Sequence, residues 1–482
     1  MNEYDLVIVG AGPAGLALAQ CCSFLKDIKI LVIEKDENIG GCHRVNRVNR
    51  LFSEHGPRIY SSTYKNFDTL LREMGTSFSD LFVPYNFQML STGTRIMLST
   101  MTLRELSILS YHIILLMFDD NHGRDVNMIT FMRNNGYSAE TKSLVDRLCR
   151  LADGGNMYNF TLNKFLQIIN QQMMYTIAQP RNPTDVELFP KWETFLKNRN
   201  VDFLLSSEVS KFHTTGNIII GCDVKNSDNK IRYIGGKKFI LAVPPTSIVK
   251  ILSKTKIPDA FSEFSKLVKW SKKTDYIEYI STTFHWDSKL DLAKVYGFPK
   301  SDWGVSFIVL SDYMKFQEKE SKTVISTAVT IVDSKSAHIN KTANQCTDRK
   351  ELMKEIFRQL NESFGDLPEP TVSVLNSKNY YNKEKQLWES HDAAFIESYG
   401  SHYIPFESDK YSNLYNLGTH NGKSIYNFTS LESAVSNAFY LSGELYPSLK
   451  EKYEIKSVMN LRDMLIYLII FLLVFLIILY KR

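Results

Sequence analysis

Short apolar runs separated by polar and glycine-rich breaks organise this chain, and the first of them sets the pattern. Tyr4-Asp-Leu-Val-Ile-Val9 reads as a buried strand running into Gly10-Ala-Gly12-Pro13-Ala14-Gly15, and Leu16 to Cys22 continues as an apolar helix. A second run, Ile28 to Ile33, closes on Glu34-Lys35 and predicts the next strand. Asn200 to Phe212 reads as two further short strands, and Lys238 to Val243 as another that stops at Pro244-Pro245. Arg104 to Phe118 has helical spacing and a polar start, which predicts a core helix; its Leu-Met-Phe end is apolar enough to meet lipid. The last pattern is the plainest, because Met464 to Tyr480 carries no charge over about seventeen residues and is apolar on every face.

The first two strands, their helix and the acid after them make a complete dinucleotide-binding unit. Gly10 permits the tight turn, Gly12 lets backbone approach a pyrophosphate, and Gly15 lets helix and strand pack closely. The helix N-terminus supplies free N–H donors and positive potential. Glu34, nineteen residues after Gly15, is placed to accept hydrogen bonds from ribose hydroxyls.

Composition adds limits. At 482 residues and 44% hydrophobic content the chain can bury a large core, so two domains are expected. A net charge of +5 from interspersed acids and bases gives no electrostatic footprint for nucleic acid. The six cysteines show no metal-ligand or redox spacing, so reduced thiols and no metal site are expected. The first strand begins close to Met1, which leaves no leader ahead of it, and the expected arrangement is a cytosolic body held by Met464–Tyr480 as a single-pass tail anchor. The endoplasmic reticulum and the mitochondrial outer membrane both suit such a tail.

Glycines recur after the acid, in Gly40-Gly41-Cys42-His43 and in Glu54-His55-Gly56-Pro57-Arg58-Ile59, as though backbone were brought against a second stretch of a long ligand. An acid followed shortly by Gly-Gly resembles the FAD-binding start of the flavin amine oxidase superfamily, which includes monoamine oxidases, protoporphyrinogen oxidase and phytoene desaturases. The resemblance implies that Gly56, Pro57, Arg58 and Ile59 run beside the flavin ring, that Val209 touches the adenine, and that Asn413 to Val435 forms the closing flavin motif. In that motif Gly418, Thr419, Glu432, Ser433 and Ala434 would face the flavin and its ribityl chain; with Gly10, Gly12, Pro13, Ala14, Gly15, Glu34, Lys35, Gly41 and Cys42 they complete the expected cofactor contacts. Departures are visible: Thr419 stands where the family usually has an acid, Ser433 where it has glycine, and Cys42 where an arginine commonly follows Gly-Gly. No cysteine follows Cys346, so a noncovalent FAD is expected. Counting back from Phe284-His285-Trp286 puts Asp275 or Tyr276 where amine oxidases hold a water-binding lysine, with Lys272 and Lys273 too early.

The fold class that follows is α/β: a Rossmann-like FAD domain from 1–75, 201–255 and 405–447, interleaved with an α+β substrate domain from 76–200 and 256–404. A linker, 448–463, and the helix 464–480 complete the chain. A flavin carries the redox chemistry itself, so few catalytic side chains are needed. The candidates are Arg58, beside the flavin or an acidic substrate group, and Tyr426 and Trp388 as two walls of an aromatic cage. The expected activity is hydride abstraction from a small amine or an apolar polycyclic or polyene substrate, with oxygen or a quinone as acceptor. Two alternatives stand beside it: a redox-neutral isomerase similar to UDP-galactopyranose mutase, suggested by Gly-Pro-Arg-Ile, and a non-catalytic scaffold on a flavin fold. Oligomeric state is open.

Overall fold

The computed structural model describes residues 3–480 except 91–93, 173–175, 262–266, 270–275, 278, 298–299, 393, 397–398, 401–402, 425 and 427–428. Its elements, in chain order, begin with β1 (Tyr4–Val9), α1 (Pro13–Cys22), β2 (Ile30–Ile33) and α2 (Lys65–Glu73). A helical group follows: α3 (Thr94–Thr100), α4 (Leu103–Phe118), α5 (Ala139–Asp153) and α6 (Leu162–Gln172). The chain then returns to strands, β3 (Val201–Leu204), β4 (Ser207–Thr215), β5 (Ile218–Asn226) and β6 (Ile231–Leu241).

These strands form one sheet in the order β4-β5-β6-β1-β2-β3. β6, β1, β2 and β3 run parallel, with Leu6 opposite both Lys238 and Ile30, while β4 and β5 meander antiparallel onto β6. A strand far along the chain, Leu414–Asn416, joins β6 in parallel, pairing Leu414 with Phe239. Strands 1 and 2 are apolar on both faces because both faces are covered. Leu6 and Ile8 point into a cluster with Leu16, Trp192 and Val435, whereas Val7 and Val9 point into another with Phe239, Ile248 and Leu252. The α/β fold expected from the sequence is thus present, with helices on both faces of a mainly parallel sheet.

A second sheet is built from Val372–Leu375, β7 (Ile280–Trp286), β8 (Thr323–Val329), Val305–Val309, Val295–Gly297 and Gln88–Leu90 in that spatial order. β7 and β8 are buried at every position, sandwiched between Leu352, Ile356 and Leu360 of helix Arg349–Asn361 and the segments that carry the cavity. Further along come β9 (Leu387–Ser390), α7 (Leu431–Leu445) and α8 (Leu461–Tyr480). α4 begins one residue before the expected Arg104, at a reciprocal cap in which Thr102 accepts the Glu105 N–H and Glu105 accepts the Thr102 N–H. The expected core helix is buried on one face only: Leu109 and Leu116 point inward, while Leu103, Tyr111, Ile114 and Phe118 are exposed. α8 starts three residues before the expected Met464, has a mean hydropathy of 2.8 over an eighteen-residue stretch and buries none of its residues.

Candidate functional site

The carboxyl ends of β1, β2 and β6 meet at the glycine turn. Gly10 adopts φ +109°, a left-handed conformation, and a Cβ there would lie 2.4 Å from the Ala242 carbonyl oxygen, so glycine is required twice over. Gly15 faces away from the open space, where a Cβ would meet the Gly10 carbonyl oxygen at 2.1 Å; it lets α1 lie close on the sheet. Gly12 and Gly41 approach each other so closely that a Cβ on Gly41 would sit 3.0 Å from the Gly12 Cα. The first turn of α1 therefore leaves the Ala14 and Gly15 N–H groups without side-chain caps beside a surface with no side chains of its own.

Glu34 reaches back across this turn. One carboxylate oxygen accepts the Ala11 N–H at 2.8 Å and the other the Asp36 N–H at 3.1 Å. Burial pushes its pKa up, against the pull of those two donors. Next to it Arg44 binds Asp36 at 2.8 Å and Asp392 at 3.1 Å, tying the loop after β2 to the loop after β9. Although burial opposes it, the hydrogen bond from Lys378 and the Arg44 charge hold Asp36 at about 2. Arg44 was not foreseen from sequence; the signal was an arginine two positions beyond the place where Cys42 replaces one.

From the turn a single cavity of about 1120 Å³ runs through the molecule. That is at the upper edge of the roughly 300–1,000 Å³ typical of ligand pockets. Its near end is lined by Gly10, Gly12, Pro13, Ala14, Glu34, Lys35 and Val209. Gly41 and Cys42 follow, and then Gly56, Pro57, Arg58 and Ile59. Gly418, Thr419 and the start of α7, including Ala434, close the other side. Residues 400 positions apart in sequence are thereby brought to one wall.

Arg58 donates to the Cys42 carbonyl, and its own carbonyl accepts from Gln179. Around it lie groups whose titration burial has displaced. Burial raises Glu54 to about 7 against the attraction of Arg58, and burial with the Arg58 charge lowers His55 to about 3. His43, 3.3 Å from the Tyr60 hydroxyl, is likewise pushed down by burial and by Arg58. Among the described residues the Arg58 Nε, His55 Nε2 and Thr429 Oγ1 atoms are buried without a hydrogen-bond partner. Such orphaned groups cost about 1–3 kcal/mol each and mark a surface that a polar ligand would complete.

Besides Gly15, four expected site residues do not line the cavity. Glu432 is fully buried and turned toward α2, accepting the Asn66 N–H at 2.8 Å, the Phe67 N–H at 2.9 Å and the Asn66 side-chain amide at 2.7 Å. It caps the N-terminus of that helix, and burial pushes its pKa to about 7 despite the donors. Ser433 packs behind the cap of α7, where its N–H is accepted by the Ser430 hydroxyl at 3.0 Å. Tyr426 is buried edge-on against Tyr64 at 6.3 Å, and it is Tyr64 that lines the cavity. Trp388 sits in the core of the second sheet, its indole N–H donating to the Cys346 carbonyl at 3.0 Å. Strand alternation explains the last case: Leu387 and Glu389 of β9 face the cavity, and Trp388 between them faces the opposite way. Lys272, Lys273 and Asp275 lie outside the described residues.

The far half of the cavity was also unforeseen. It is apolar and is formed by Met97 and Leu98 of α3, Leu106 of α4, Leu148, Leu151 and Ala152 of α5, and Phe165, Ile168 and Ile169 of α6. Ile59 and Leu151 pack in one cluster with Ile177, so this arm starts at the residue after Arg58.

Residues 8–74 match the family described as NAD(P)-binding Rossmann-like domain, which is the unit built by β1, α1 and β2 and extends into α2. Over nine-tenths of its length the chain has the fold of known oxidoreductases. An oxidoreductase from Methanosarcina mazei superposes with a TM-score of 0.62 at 14% identity, covering 91% of this chain and 99% of that one. Putrescine oxidase bound to putrescine gives 0.61 at 13% identity, with 92% and 99% covered. A candidate protoporphyrinogen oxidase from Exiguobacterium sp. 255-15 gives 0.58 at 14%, with 93% and 100% covered. No curated protein matches in sequence.

Proposed function

We propose that this chain is an FAD-dependent oxidoreductase of the flavin amine oxidase superfamily, anchored to a membrane by α8. The observation that carries the reading is the continuity of the cavity, from the glycine turn and Glu34 past Arg58 to Thr419 and the start of α7. The residues present fit a dinucleotide. Glu34, oriented by the Ala11 and Asp36 amides, would accept from the ribose hydroxyls, the α1 amides and the Gly12–Gly41 surface would hold the pyrophosphate, and Val209 the adenine. Gly56 to Ile59, Gly418 and Thr419 would flank the flavin, with the Arg58 Nε and Thr429 Oγ1 as unfilled polar positions.

FAD, when bound, supplies a hydride acceptor for a substrate C–H bond and passes electrons on to oxygen or a quinone. The chain's own contribution is placement and electrostatics. Arg58 puts a fixed positive charge in the chamber, while His43 and His55 stay neutral at physiological pH and add none. The apolar walls beyond Ile59 exclude water from the reacting bond. The six cysteines are free, and five are buried; noncovalent cofactor binding is part of the proposal.

The test is the absorption spectrum of the full chain purified in detergent. Flavin bands that pass into the filtrate after denaturation are the expected result, with bleaching under anaerobic addition of an amine, a porphyrinogen or a polyene. Colourless protein that does not take up added FAD overturns the reading. A sugar nucleotide that binds and perturbs the flavin bands without bleaching them, with no bleaching by the other substrates, would move it to the isomerase class.

A further inference from the structure

At its Glu34 end the cavity has a charged wall built from two distant parts of the chain. Lys35, Asp36 and Arg44 come from the loop after β2, and Lys385, Glu389 and Asp392 from the hairpin that pairs Asn379–Asn382 with β9 and from the residues after it. The side chains of Lys35 and Lys385 are more than half exposed, so this wall is where the nucleotide end of the cavity meets solvent.

Four side chains close the seam between the two parts. The Lys378 ammonium lies 2.9 Å from one Asp36 carboxylate oxygen, and the Arg44 guanidinium lies 2.8 Å from the other. Arg44 then reaches Asp392 at 3.1 Å, across a gap of 348 residues in sequence. The Arg44 and Asp392 side chains are only 5% and 6% exposed. On the hairpin side both contacts stand on one firm base. The His391 N–H donates to the Lys378 carbonyl at 3.0 Å, and the Asn376 N–H donates to the Ser281 carbonyl of β7 at 2.9 Å. Asn379 adds a second tie to β7, its side-chain oxygen accepting the Ser281 N–H at 3.0 Å. Desolvating a row of charges offsets much of their attraction, so such a row does little for net stability and more to fix one arrangement against another.

We propose that Lys378, Asp36, Arg44 and Asp392 form a latch across the nucleotide end of the cavity, which sets the rate at which FAD enters and leaves. The inference rests on the reading of the cavity as an FAD site. It gives a task to Lys378, which does not line that cavity but faces a neighbouring polar cleft on the other side of Asp36. Lys378 therefore acts on the cofactor only by holding the seam shut. Ion pairs that break on opening, and are remade whether the site is empty or loaded, add to the barrier in both directions. Entry and exit slow by the same factor, and affinity is left as it was.

The experiment uses the full chain purified in detergent. Exit is followed as loss of bound radiolabelled FAD during a chase with unlabelled FAD, and entry as the rate at which the apoprotein changes FAD fluorescence. Lys378→Met and Asp392→Asn should each speed exit by about 5-fold, the rate equivalent of one partly buried ion pair. Entry into Lys378→Met should quicken by the same factor with Kd unchanged, and Lys378→Arg, which keeps the charge, should exchange at the wild-type rate. FAD that leaves Lys378→Met and the double variant at the wild-type rate overturns the latch alone. Faster exit with unchanged entry also overturns it, because that pattern belongs to a lost contact with the bound cofactor. A chain that binds no FAD overturns the functional reading and the latch with it.

Discussion

The two ends of the cavity share one local grammar, a strand that enters a glycine turn and then a helix, and each carries a buried glutamate. At the β1 end Glu34 turns toward the cavity and accepts the amides of Ala11 and Asp36. At the α7 end Glu432 turns away, accepts the amides of Asn66 and Phe67, and holds α2 in place. The difference lies in what caps the neighbouring helices. α1 has no side-chain cap on its first turn, while α7 is capped by its own Ser430, which leaves Glu432 for a structural task. An acid near a glycine turn is thus no guide to its role until its donors are known.

The sharpest way to break this comparison is at the glycines. Gly15→Ala places a methyl against the Gly10 carbonyl and should cost about 4 kcal/mol, read as a large fall in the unfolding midpoint and loss of bound flavin. Glu432→Ala comes next. It orphans the two buried amides of Asn66 and Phe67, while the Asn66 side chain keeps Ser436 and Lys456, and about 3 kcal/mol of stability should disappear in denaturant titration.

Glu432→Gln adds a pH signature. The folded group titrates at about 7 and the unfolded group near its ordinary 4.5, so between those values the folded chain holds a proton that the unfolded chain has lost. The wild-type stability due to Glu432 is full below about 4.5 and falls as pH rises to 7. The stability gap between wild type and Glu432→Gln should therefore narrow over that window; a gap constant with pH would contradict the assignment.

Glu34→Ala should act on the ligand as well as on the Ala11 and Asp36 amides it leaves unpaired. Loss of a charged acceptor is worth roughly 1.5–3 kcal/mol, or about 10- to 100-fold in FAD affinity measured by fluorescence titration. Smallest is Trp388→Phe, which removes one hydrogen bond to the Cys346 carbonyl and should cost about 1 kcal/mol, with flavin content and substrate KM unchanged. A raised KM would return Trp388 to the substrate chamber.

What could be read from sequence tracks these same residues. Gly10, Gly12, Gly15 and Glu34 were legible because a backbone that must bend, approach or pack leaves glycine no substitute, and the spacing lies within one βαβ unit. The parallel core was legible because β1 and β2 are apolar on both faces. Glu432 was not, since its partners are 366 residues away in sequence. Nor was the outward turn of Trp388, which depends on a strand register set by neighbours. The apolar arm escaped for a different reason: Leu106, Leu148 and Phe165 look like any core residues until four helices are seen to leave space between them.

The sheet order has a consequence for how the chain is made. β1 pairs on one side with β2, which follows within a few dozen residues, but on the other with β6, at Ile231–Leu241. At about 5–20 residues per second of synthesis, that edge stays open for roughly 10–50 s. During this time the apolar Leu6–Val9 stretch of β1 is presented to whatever else is nearby. The nucleotide turn is thus complete in sequence long before it is complete in space. Supply of cofactor to the nascent chain before β6 emerges should do little for yield, whereas a chaperone that covers the β1 edge over that interval should do a great deal.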